Sequence, residues 1–139
     1  METYGFHFRY RLCGEPPTVQ EFTFADTEVL HAGDLINIDS SGYADLAATG
    51  GDVGLVGAAV EYVSGTTLVS KIKVITDWDA VYAVTDANAR VKGATLDVTG
   101  TTGAQTVAAT GDADLTVVES SSATEPTLVM ITYTSYPLF

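Results

Sequence analysis

The chain has 139 residues, 46% of them apolar, and carries 18 acidic against 6 basic side chains, a net charge of −12. That length suits one domain, and the apolar content excludes a disordered chain. The charge argues against nucleic acid and anionic membranes as partners, because an acidic surface repels phosphate. Thr and Val are abundant, with 20 and 16 copies beside 13 Gly, while Leu, Lys, Arg and Glu are scarce. β-Branched and small residues favour strands and tight turns, so an all-β protein is expected.

Residues 4–12 alternate strictly. Tyr4, Phe6, Phe8, Tyr10 and Leu12 fall on one side, and Gly5, His7, Arg9 and Arg11 on the other, which is the period of a strand. Gly14-Glu15-Pro16-Pro17 ends the strand, since proline donates nothing to a ladder and stiffens the chain. Residues 1–12 have a net charge of +1 and residues 13–139 of −13. Residues 1–17 are therefore expected as an extended N-terminal arm and linker, and residues 18–139 as a single β domain. By pattern alone, alternating aromatics mark a strand packed in its own core. The terminal position, the opposite charge and the Pro-Pro step favour instead an arm that contacts a partner, since aromatic and Arg side chains dominate interface hot spots.

Beyond residue 18, strands are predicted at 19–24, 35–39, 43–47, 53–63, 68–75, 81–84, 95–98, 105–108, 115–118 and 128–134, separated by turn clusters such as Ser40-Ser41-Gly42 and Thr49-Gly50-Gly51-Asp52. Residues 53–63 are apolar on both faces and read as a central, doubly covered strand. Residues 85–90 offer cap residues and alanines for one short helix, which Gly93 would end. The six bases form three i, i+2 pairs, Arg9/Arg11, Lys71/Lys73 and Arg90/Lys92, each a small positive patch on one strand face.

Cys13 is the only cysteine, so no internal disulfide forms and a reducing compartment suits the chain. The first residues carry no basic and apolar leader, and no apolar run approaches the ~20 residues of a membrane helix. The two histidines, His7 and His31, lie in no recognisable catalytic motif, and Gly-x-Ser-x-Gly is absent. The spaced ligand pairs of a zinc site are missing. The acid pairs Asp77/Asp79, Asp112/Asp114 and Asp34/Asp39 lack the rest of a calcium loop and read as turn and capping residues. No metal, cofactor or catalytic residue is expected. Trp78 between two aspartates reads as a half-buried strand corner. A sugar-stacking role for Trp78 and Tyr82, or an Asp77/Asp79 hydrolytic dyad, are the alternatives.

In order along the chain come Gly33-Asp34-Leu35, Gly57-Ala58-Ala59-Val60-Glu61-Tyr62-Val63, Asp77-Trp78-Asp79-Ala80-Val81-Tyr82-Ala83-Val84 and Lys92-Gly93-Ala94-Thr95-Leu96-Asp97. This succession, over about residues 29–98, resembles the capsid cement, or head decoration, proteins of tailed phages. The N-terminal arm is not a feature of that family. The resemblance implies a small β-barrel or β-sandwich without enzymatic activity. Such a protein binds the outer surface of the virion shell, often as a homotrimer, and clamps neighbouring copies of the major capsid protein. It is made in the host cytoplasm. With the arm as the docking element, Tyr4, Phe6, Phe8, Arg9, Tyr10 and Arg11 are the expected capsid or intersubunit contacts. A β-sandwich module for glycans or a host surface is the alternative function.

Overall fold

A computed structural model describes residues 5–23, 29–39, 42–47, 54–64, 70–109 and 114–132 of the chain; Tyr4 and Asp112 lie outside them. The described residues are all-β and contain no helix. Thirteen strands follow one another: β1 (Phe6–Arg11), β2 (Val19–Thr23), β3 (Val29–Leu30), β4 (Leu35–Ile38), β5 (Ala44–Leu46), β6 (Leu55–Ala58), β7 (Val63–Ser64), β8 (Lys71–Ile75), β9 (Ala80–Val84), β10 (Thr95–Thr99), β11 (Thr106–Ala108), β12 (Leu115–Glu119) and β13 (Thr127–Ile131). Every pairing between them is antiparallel.

Six strands form the principal sheet in the order β1-β9-β13-β12-β10-β11. Its inner face follows from alternation: Phe6, Tyr82, Val84, Val129, Ile131, Leu115, Val117, Leu96, Val98 and Val107 are all buried. A second layer lies against them. It combines β5-β4-β6 with β2-β8, joined by a bridge between Ala59 and Val74. Leu35, Ala47, Leu55, Ala58 and Ile75 come from this layer or its edge and complete the main core. The arrangement is sandwich-like, and among the described residues no sheet closes into a barrel.

A second core occupies the far side of the second layer, where Leu30, Ile36, Ala44, Val56, Ala59, Ile72 and Val74 pack together. β4 and β6 thus alternate side chains into both cores. All four residues of β6 are buried, which is why this stretch reads as continuously apolar rather than alternating. Gly57 is required there: a Cβ at this position would lie 1.8 Å from the carbonyl oxygen of Ile75, so only glycine lets β6 approach β8 this closely.

The principal sheet curls until its two edges meet at one end. The Gly5 amide, just before β1, donates to the carbonyl oxygen of Gln105, just before β11, at 2.9 Å. Gln105 is fully buried. Its Oε1 accepts the Leu35 amide at 2.6 Å and its Nε2 donates to the Ala47 carbonyl at 2.9 Å. One side chain at the seam therefore ties the principal sheet to the second layer.

Two expectations change. β1 is an edge strand of the principal sheet, paired with β9 from Phe6–Val84 to Arg11–Ala80, and not an arm separate from the body. Phe6, 1% exposed, is the reason, since its side chain completes the main core. The helix expected at 85–90 is absent. Asp86 accepts hydrogen bonds from the Asn88 amide (3.2 Å), Arg90 Nε (2.6 Å) and the Thr127 hydroxyl (3.4 Å). An aspartate that bonds its own neighbouring backbone competes with helix formation.

Candidate functional site

β1 does not keep its alternation. The register with β9 slips between Phe8 and Tyr10, so Arg9 is the extra residue of a β-bulge. One inserted residue exchanges the faces of everything after it. Arg11 thereby moves to the side of Phe6 and Phe8, while Tyr10 turns to the outer face. The Arg9/Arg11 pair expected to share a face is split.

Arg11 meets the Asp77-Trp78-Asp79 corner. Its Nε bonds Asp79 Oδ1 at 2.8 Å, and Nη1 faces Asp77 Oδ1 at 3.3 Å. The other two carboxylate oxygens accept backbone amides, Cys13 on Asp79 (3.2 Å) and Thr18 on Asp77 (2.6 Å). Burial alone would push the Asp79 carboxyl up; the Arg11 guanidinium and the Cys13 bonds outweigh it and hold the group below its ordinary value. All four oxygens thus face donors of this chain, and the two aspartates clamp β1, β2 and the start of β9 together. This accounts for the acids without hydrolytic chemistry.

Trp78, between the clamped aspartates, is 50% exposed, in keeping with the half-buried corner expected for it. Leu12 (54% exposed) donates its amide to the Asp79 carbonyl, and Val19 follows Thr18, whose amide is held by Asp77. Tyr10, 37% exposed, lies two residues before Leu12 and donates to Glu119 at 3.3 Å. Leu12 and Trp78 are thus exposed at one clamped corner, and Val19 is exposed on the strand whose start Asp77 holds; Tyr10 is exposed too but reaches across the sheet to Glu119, and Arg9 is exposed beside it in sequence.

Of the six expected contact residues, Arg9 and Tyr10 are exposed. Phe6 is in the core, Phe8 packs against it with its ring edge-on to Tyr82 (centroids 6.4 Å apart), and Arg11 is spent on the clamp. Tyr82 is 1% exposed and its hydroxyl accepts the Ala58 amide, so it is unable to stack on a sugar. Lys71 and Lys73 do share an exposed face, whereas Arg90 is ion-paired with Asp86 at 2.6 Å.

The structure also brings Thr102 to His31 and Asp34, which lie near one another in sequence but far from Thr102. Asp34, fully buried, accepts the Thr102 hydroxyl (2.5 Å), the His31 amide (2.8 Å) and the Gly103 amide (2.8 Å). The Thr102 oxygen in turn lies 2.9 Å from His31 Nδ1. The hydroxyl sits between the acid and the imidazole and gives its only hydrogen to the acid. That order differs from a nucleophile–His–Asp relay, in which the imidazole receives the hydroxyl proton. Asp39 holds a turn through the Tyr43 amide at 3.0 Å. Among the described residues, no three His, Cys, Asp or Glu side chains are grouped to hold a metal ion. No model of a known protein family matches the chain, and no curated protein matches it in sequence.

Proposed function

We propose that this chain is a non-enzymatic structural protein that coats the outer surface of a phage capsid and stabilises the expanded shell. The observation that carries the reading is the corner at Trp78, where Leu12 and Trp78 are exposed. Arg11 and the buried Asp77 and Asp79 hold that corner in place. Side chains on a fixed corner cost little conformational entropy on docking, and Trp is enriched in interface hot spots. The order of motifs along residues 29–98 and the all-β fold support the same reading. The partner is the major capsid protein, and the chain acts as a homotrimer on the shell. A ligand that binds only the expanded shell stabilises it by mass action, and many copies add avidity.

The test is co-sedimentation of the purified protein with expanded shells that lack it. Saturable binding that Trp78→Ala and Leu12→Ala each weaken about tenfold or more, the loss typical of a hot spot, is the expected result. Absence of binding by the unaltered chain would sink the reading. Half-exposed Trp78 is also an aromatic on which a sugar could stack, so a glycan array that returned Trp78-dependent hits would establish a surface-binding module in its place.

A further inference from the structure

β2 presents an open edge. It pairs with β8 from Val19–Ile75 to Thr23–Lys71, and among the described residues nothing pairs with its other side. The register says which backbone groups face outward. The Thr76 amide donates to the Thr18 carbonyl, so the hydrogen-bonded pairs fall at residues 18, 20 and 22 of this stretch. Lys73, opposite Glu21, fixes the same phase: its carbonyl accepts the Val60 amide and its own amide goes to Glu61, both away from β2. The N–H and C=O of Val19, Glu21 and Thr23 therefore point outward, repeating about every 7 Å. Other edges are blunted, since β1 slips at Arg9 and β5 and β11 have three residues each. β2 has five residues in unbroken register and no proline. Asp77 fixes its start through the Thr18 amide, and Phe22 packs against the second core. A regular, unpaired edge is a template for another strand.

The side chains select what docks. Val19, Gln20 and Glu21 are exposed. Glu21 stands at the middle of the edge. Lys73 lies across the ladder from it, yet among the described residues Glu21 closes no ion pair. A second copy of the chain fits badly. Pairing β2 with itself along its whole length sets Glu21 against its own counterpart, and like charges directly opposite destabilise a ladder. Each copy also carries a charge of −12. A base in that place is complementary both to Glu21 and to the molecule. We infer that β2 is a docking edge for an extended basic segment of a partner protein, which adds as an antiparallel strand with an arginine or lysine opposite Glu21. The backbone of that segment bonds Val19, Glu21 and Thr23, as in strand addition to other sheets. Its alternate side chains fall beside Val19 and Thr23 on one face and beside Gln20 and Phe22 on the other. β-Branched residues suit the places opposite Val19 and Phe22.

The probe is the end-blocked peptide Thr-Val-Arg-Thr-Val, titrated at low salt into the full chain and followed by backbone amide signals in NMR. In antiparallel register its arginine meets Glu21 and its last valine meets Val19. Saturable shifts centred on Val19, Glu21 and Thr23 are expected. Replacing the arginine by glutamate should weaken binding about threefold or more, the scale of an exposed charge pair. N-Methylation of the arginine removes an amide that lies in the ladder and should abolish binding. N-Methylation of the threonine after it removes an amide that points away and should leave binding in place. Glu21→Lys changes an exposed side chain and leaves the fold intact, which an unchanged unfolding temperature verifies, and it should turn the preference to the glutamate peptide. No saturable shift, shifts spread over the acidic surface, equal binding of the arginine and glutamate peptides, or equal loss from the two methylations would overturn the inference. So would a dimer that protects the β2 amides without peptide, since the edge would then belong to a second copy. Every outcome is read without shells, so this edge and the shell reading stand or fall separately.

Discussion

At the residue scale, the molecule depends on a few side chains that each satisfy several partners. Gln105 serves Leu35 and Ala47 at once, from a fully buried position. Gln105→Ala strands a buried amide and a buried carbonyl, and a loss of about 2–4 kcal/mol in urea unfolding is expected. Gly57→Ala drives a methyl into the Ile75 carbonyl and should cost roughly 3 kcal/mol or more by overpacking. By contrast, Trp78→Ala removes a half-buried ring and should cost about 1–2 kcal/mol while leaving the urea transition cooperative, and shell binding falls. The carboxylates add a pH limb. Burial raises the Asp79 and Asp86 carboxyls, but Arg11 with Cys13, and Arg90 with Asn88, bring both below the ordinary value of 3.8. A carboxyl lowered in the folded state stabilises fully above its unfolded value, and that stability is lost as pH falls through the folded value. Thermal midpoints should therefore drop below about pH 4, and Arg11→Met should flatten that drop. An Arg11→Met curve parallel to the unaltered one would refute the role given to the clamp.

At the scale of elements, β1 shows what a sequence discloses and what it withholds. Alternation from Tyr4 to Leu12 marks a strand, and the strand is there. The bulge at Arg9 has no signature, because it carries no glycine and the residues around it still alternate in polarity. Only pairing with β9 reveals that Arg11 faces Asp79 and that Tyr10 faces solvent. The corner at Trp78 was legible from two turn-forming acids around one aromatic; the partners of those acids were not, since Arg11 lies far away in the chain. The same distance hid the meeting of His31 with Thr102, and of Gln105 with Leu35. At 85–90 the local signal misled, because an aspartate suited to capping a helix formed its own turn with Asn88 and Arg90. Since β1 supplies Phe6 to the core and covers the edge of β9, removing residues 1–12 should abolish cooperative unfolding. A truncated chain that still melted cooperatively, followed by circular dichroism, would restore the arm as a separate element.

At the scale of the whole molecule, β4 and β6 insert side chains into both cores, so neither core melts without exposing the other. A single urea transition, coincident by circular dichroism and by tryptophan fluorescence, is expected; two separated transitions would show that the cores are independent. The seam has a further consequence, in time rather than in space. β1 is synthesised before every strand it needs. Its ladder partner β9 is itself sandwiched by β13, and the carbonyl that receives Gly5 belongs to Gln105. Nearly the whole chain must leave the ribosome before the first strand closes, and contacts of such long sequence separation form slowly. Until then, Phe6, Phe8 and Tyr10 wait on an unpaired strand, the state in which β proteins pair with the wrong neighbour.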